Sequence, residues 1–133
     1  MSKKPSPHPT ADSVDFWHAC SEGRLTFQRC GSCNHAQLYP RSLCARCGST
    51  ELTVETSQGR GTIFTFTLNH RAPNEAFAAD APYLIALIDL DEGPRIMTNV
   101  VDCDPASVAI GSRVRIVFEA RGELSLPQST LLE

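Results

Sequence analysis

The sequence predicts a mainly β protein, with a short N-terminal helix, a cysteine ribbon and a C-terminal five-stranded barrel of the OB type. Three observations carry that prediction. Cysteines at 30, 33, 44 and 47 form a C-x2-C-x10-C-x2-C pattern. From residue 61 on, short apolar or alternating segments are separated by Gly, Pro, Asn and Asp at strand-like intervals. Signals for a helix longer than one turn gather shortly before residue 23.

In chain order, residues 1–11 hold three of the prolines and no apolar periodicity, and are expected as a disordered lead-in. Asp12 or Ser13 is placed to cap a helix within 12–24, whose apolar residues are Val14, Phe16, Trp17, Ala19 and Cys20 and whose end is Gly23. So short a helix is marginal in water, so Phe16 and Trp17 must pack on the rest of the chain or on a partner. A zinc ribbon is expected over 25–57, with strands at 25–29, 36–39 and 52–55. The barrel is expected over 58–128, with strands at 61–70, 83–90, 95–101 and 113–120 and a last one at 123–126. Phe64, Phe66 and Leu68 alternate with Thr65 and Thr67, marking a strand with one buried face. Residues 83–88 are almost wholly apolar and are expected to be buried on both faces. Asp91-Glu92-Gly93 reads as a hairpin turn, and Asp104-Pro105 opens a helical turn that Ile110-Gly111 closes. Residues 129–133 are left as a tail. A small sandwich or an SH3-like barrel gives a similar strand pattern.

The four spaced cysteines are the most specific chemical signal. Thiolates at i and i+3 of a tight turn converge on one centre, and two such turns supply the four sulfurs of a tetrahedral site. Asn34 follows Cys33 and Gly48 follows Cys47; both residue types tolerate the left-handed backbone that turns amides toward the sulfurs. With every position filled by sulfur no place is left for water, so Cys30, Cys33, Cys44 and Cys47 are expected to hold a structural Zn(2+). Iron in the same cage and disulfides are the alternatives. Cys20 and Cys103 fit no ligand spacing and read as apolar thiols. His35 neighbours a site already complete. His70, at a strand end beside a proline-broken loop, is the one histidine to weigh for function, with Asp80, Asp89 or Asp91 as its carboxylate.

The chain has 133 residues, 41% hydrophobic and 20% charged, ordinary globular usage for one domain or two very small ones. No apolar run approaches the roughly 18 residues of a membrane span, and the two lysines near the start have no apolar segment behind them. A cytoplasmic protein is therefore expected, with no membrane. Net charge is −3 but uneven. Residues 24–50 carry four arginines and no acid, whereas residues 51–133 set six arginines against twelve acids. An acidic barrel argues against a nucleic-acid partner.

The aromatic helix segment, Leu25-Thr26-Phe27-Gln28-Arg29-Cys30, Cys44-Ala45-Arg46-Cys47-Gly48-Ser49, Gly59-Arg60-Gly61-Thr62, Pro82 to Leu87, Gly93-Pro94-Arg95-Ile96 with Asn99, and Ile110-Gly111 before Val114 to Glu119 together resemble the acyl-CoA-associated zinc-ribbon and OB-fold family. That family was long catalogued as a domain of unknown function. The resemblance spans about residues 12–128. It implies a rubredoxin-like ribbon, an OB barrel, and a noncatalytic accessory subunit that binds a thiolase-like or sterol-carrier-type (lipid-transfer-type) enzyme. Such a subunit helps hold or shield an acyl-CoA, and Arg60, Arg71 and Arg95 are candidates for the CoA phosphates. The sequence departs from the pattern after Leu126-Pro127, where Gln128-Ser129-Thr130 replaces a further apolar strand. Two other functions compete: a single-stranded nucleic-acid binder, and a stand-alone acyl-CoA thioesterase or hydratase built on His70.

Overall fold

The computed structural model describes residues 4–132. Residues 1–3 of the expected lead-in and residue 133 of the expected tail lie outside the described residues. Helix α1 spans Val14–Ser21. Gly23, at φ +79°, ends it in a left-handed turn, its N–H bonding to the Cys20 carbonyl and that of Arg24 to Ala19. Its start uses no side-chain cap from Ser13; instead the Thr10 N–H donates to the Ser13 Oγ at 2.9 Å.

The ribbon sheet is three-stranded and antiparallel, in the order β2 (Ala36–Gln37), β1 (Thr26–Cys30), β3 (Leu52–Thr56). Five strands then close a barrel: β4 (Arg60–Asn69), β5 (Tyr83–Leu90), β6 (Arg95–Val100), β7 (Arg113–Arg121) and β8 (Leu124–Leu131), in the order β4-β5-β6-β8-β7. Every neighbouring pair is antiparallel except β6 with β8. The core inside it includes Ile63, Leu84, Ala86, Ile88, Ile96 and Val114. The mainly β fold class, helix, ribbon and OB-type barrel are as expected.

Four details differ from expectation. Phe64 does not share the face of Phe66 and Leu68. The pairing of β4 with β5 shifts between Ile63 and Thr65, and this bulge sends Ile63 inward (1% exposed) and Phe64 outward (49%). The apolar run from Tyr83 is buried on one face only: Leu84, Ala86 and Ile88 are buried, while Tyr83, Ile85 and Leu87 on the outer face are half-buried.

The chain from 129 is no tail. Ser129 and Thr130 are the buried end of β8 and close the barrel against β6. Only Val100 and Ser129 pair across this parallel seam, so side chains make up the missing ladder. Gln128 Oε1 accepts the Asn99 N–H at 2.7 Å, Ser129 Oγ donates to the Asn99 carbonyl at 3.1 Å, and Thr130 Oγ1 donates to the Val101 carbonyl at 2.9 Å. Polar residues are what such a seam requires. Finally, residues 4–10 form no regular element but are tied to the barrel. Lys4 pairs with Asp80 at 2.6 Å and Arg121 donates to the Pro5 carbonyl at 2.9 Å, partners that composition does not reveal.

Candidate metal centre and its surroundings

The Cys30–Cys33 turn leaves β1, and the Cys44–Cys47 turn sits in the loop between β2 and β3. Both turns are built the same way. Asn34 (φ +65°) sends its N–H to the Cys30 carbonyl, and Gly48 (φ +78°) sends its own to Cys44. Amides point at the sulfurs: Ser32 and Cys33 donate to Cys30 Sγ at 3.3 and 3.4 Å, and Arg46 donates to Cys44 Sγ at 3.4 Å. These amide bonds, chiefly that of Cys33, pull the Cys30 thiol down to about 6, and that of Cys47 lowers Cys44. Cys47, although the Ser49 amide favours its thiolate, is pushed up to about 12 by the Cys30 and Cys33 sulfurs. Without a cation the cluster resists full ionisation; with one it gains four anionic ligands.

The spacing fits such a cation. The four Sγ atoms lie within 4.8 Å of one another, with Cys30–Cys47 and Cys33–Cys44 each at 3.6 Å. A tetrahedron with zinc–sulfur bonds of about 2.3 Å has edges of about 3.8 Å. A rubredoxin-like ribbon with four converging cysteines holds structural zinc, whose closed shell leaves no position for substrate.

The ribbon is joined to the barrel through the β5–β6 turn. Glu92 accepts from the Ser57 hydroxyl at 2.8 Å and from the Gln58 N–H at 2.7 Å. The Glu92 carbonyl accepts from Arg29 at 3.1 Å, while Arg29 Nε donates to Glu55 at 3.1 Å. Sequence reading did not single out Glu92, because its role depends on partners in two distant segments.

The remaining candidates do not converge. Arg60 and Arg95 open β4 and β6 at one end of the barrel, whereas Arg71 follows β4 at the other, about 30 Å along a ten-residue strand. Arg95 is held by both oxygens of Asp89, at 2.6 and 3.3 Å, and lies 3.8 Å over the Phe64 ring. His70 is exposed, and its three expected carboxylates face other cations: Asp80 pairs with Lys4, Asp89 with Arg95 and Asp91 with Arg113. Burial pushes the Cys20 thiol up to about 11, and burial together with Asp104 and Asp102 raises Cys103. Neither is primed as a nucleophile.

Two family models match: that of the ChsH2 rubredoxin-like zinc ribbon domain over residues 17–53, and that of the ChsH2 C-terminal OB-fold domain over residues 54–119. A DUF35 domain-containing scaffold protein of Methanothermobacter thermautotrophicus is 32% identical over 109 residues, 80% of this chain and 81% of that protein. A probable enoyl-CoA hydratase alpha subunit of Thermomonospora curvata is 34% identical over 125 residues, 93% of this chain but only 39% of that longer protein. Among solved structures, a chain of an Ltp2-ChsH2(DUF35) aldolase superposes with a TM-score of 0.82 at 31% identity, covering 95% of this chain and 98% of that one.

Proposed function

The chain belongs to this family of ChsH2-type zinc ribbons and OB-folds, and from that premise we propose that it is a noncatalytic accessory subunit of an acyl-CoA enzyme. Its partner on this reading is a thiolase-like or lipid-transfer-type enzyme, and it helps hold or shield the acyl-CoA that the partner transforms. Cys30, Cys33, Cys44 and Cys47 hold the zinc in a structural role. The observation that carries the reading is the likeness, along nearly the whole chain, to a subunit of an Ltp2-ChsH2 aldolase. The site chemistry agrees with it. The four-sulfur cage is closed to substrate, and the carboxylates expected for His70 are engaged elsewhere.

The nucleic-acid alternative is disfavoured by the barrel itself. Among Phe64, Phe66 and Phe118, only Phe64 stands exposed, and Arg95 covers its face. The test is calorimetric titration of the purified chain into a purified thiolase-like enzyme of the same organism, with acyl-CoA turnover followed for the chain alone and for the mixture. Saturable one-to-one binding and turnover in the mixture alone are expected. Steady turnover by the chain alone, lost in His70→Ala, overturns the proposal in favour of an enzyme.

A further inference from the structure

The outer face of β5 and β6 is more apolar than a solvated barrel wall needs. Tyr83 and Ile85 are half-buried there, and Met97 is 63% exposed. Beside this wall lies a groove of about 750 Å³, bounded across from it by Phe16 and Trp17 of α1 and by Tyr39 at the edge of the ribbon. That volume lies in the range of sites for small molecules, which are concave and mostly apolar with a few polar groups.

The polar groups of the groove say what kind of molecule it admits. Lys4 is taken by Asp80 and Arg121 by Glu119, each at 2.6 Å, so neither cation in the lining is left for a phosphate or carboxylate. The amides on its floor satisfy one another. Gln128 Nε2 donates to Asn99 Oδ1 at 3.2 Å, and Asn99 Nδ2 donates to the Leu84 carbonyl at 2.8 Å. Asp102 adds a further acid to the lining, so a buried ligand anion would have no counter-ion here, whereas an apolar group meets the aromatic and aliphatic carbon that makes up most of the lining.

We infer that the groove between α1 and the outer face of β5–β6 binds an uncharged apolar chain or ring system, the acyl end rather than the nucleotide end of a CoA thioester. The assignment to an acyl group rests on the accessory-subunit reading above; the groove's preference for neutral apolar matter rests on its lining alone. The chain therefore binds such molecules without its partner.

Trp17 is the single tryptophan of the sequence and lines the groove, so its emission reports occupancy directly. The zinc-loaded full chain is titrated with Nile red, an uncharged dye, and the complex is then challenged with dodecanol or with free coenzyme A. Saturable binding that quenches Trp17, reversed by dodecanol and not by coenzyme A, is expected. Met97→Glu puts a charge on the wall at an exposed position that the fold tolerates, and should weaken the dye by about tenfold with an unchanged melting temperature. Ile110→Glu, 69% exposed and outside the groove lining, should leave affinity unchanged. Absence of saturable binding, displacement by coenzyme A but not dodecanol, or equal losses in both variants overturns the inference. The calorimetric test of partner docking is independent of every one of these outcomes.

Discussion

Glu92 is the hinge pin between the two halves of the molecule, and truncating it should loosen the ribbon from the barrel while leaving both folded. Glu92→Ala removes the acceptor of the Ser57 hydroxyl, on a residue only 8% exposed, and of the Gln58 N–H. A hydrogen bond to a charged group contributes about 1.5–3 kcal/mol. Glu92 is half-buried, so solvent screening reduces each bond to about 1–2 kcal/mol and the pair is worth about 2–4 kcal/mol. For a chain of this size that is a fall in melting temperature of roughly 6–15 °C. Glu92→Gln separates shape from charge: the amide oxygen still accepts the Gln58 N–H and the NH2 group can donate to the Ser57 hydroxyl oxygen, so both contacts persist without the carboxylate charge and about half the loss remains. The assay is urea unfolding with zinc present, together with hydrogen exchange at the Gln58 amide and a zinc assay. Stability within 0.5 kcal/mol of the parent, or an unchanged Gln58 exchange rate, refutes the reasoning. Loss of zinc in Glu92→Ala would show instead that the ribbon itself had unfolded.

Serine at any one of Cys30, Cys33, Cys44 or Cys47 should lower bound zinc, whereas Cys20→Ser and Cys103→Ser should keep it, as elemental analysis will show. Gly61→Ala places a Cβ 2.6 Å from the Asp89 carbonyl oxygen and 2.7 Å from Ile88 Cγ2, on a strand held on both sides by β5 and β7, and should cost about 2–3 kcal/mol in chemical denaturation. The two bonds from Arg113 hold the Asp91 carboxyl below its usual value, so its contribution to stability is present above the ordinary aspartate range and is lost as pH falls through the lowered value. In Arg113→Gln the Asp91 carboxyl, followed by NMR, should titrate nearer that ordinary value, and acid stability should flatten.

What was legible in the sequence is what local chemistry determines. Two cysteine turns, each followed by a residue able to take positive φ, specify a metal cage because the amide–sulfur bonds and the closing bonds from Asn34 to Cys30 and from Gly48 to Cys44 all lie within four residues. The same holds for Gly23 at the end of α1 and for Asp104, whose side chain accepts from the Ala106 N–H. Features that failed to show depend on partners far along the chain. Gln128, Ser129 and Thr130 look like a polar tail until β6, some 30 residues earlier, is laid beside them, and then each supplies a hydrogen bond that the parallel seam lacks. Phe64 reads as core until the bulge opposite β5 turns it out and Arg95 comes to rest on its ring.

The run at 83–88 shows where the two kinds of information meet. Its composition demands apolar neighbours on both faces, and the barrel core supplies them on one face only, to Leu84, Ala86 and Ile88. On the other face Tyr83 and Ile85 line a groove that Trp17 also lines. The demand read from the sequence was therefore real as chemistry, and half of it goes unmet within the described residues. Apolar surface left in a concave site whose cations are already paired is stabilised when something uncharged covers it. The surplus of apolar residues on β5 thus points outward, to what the groove binds.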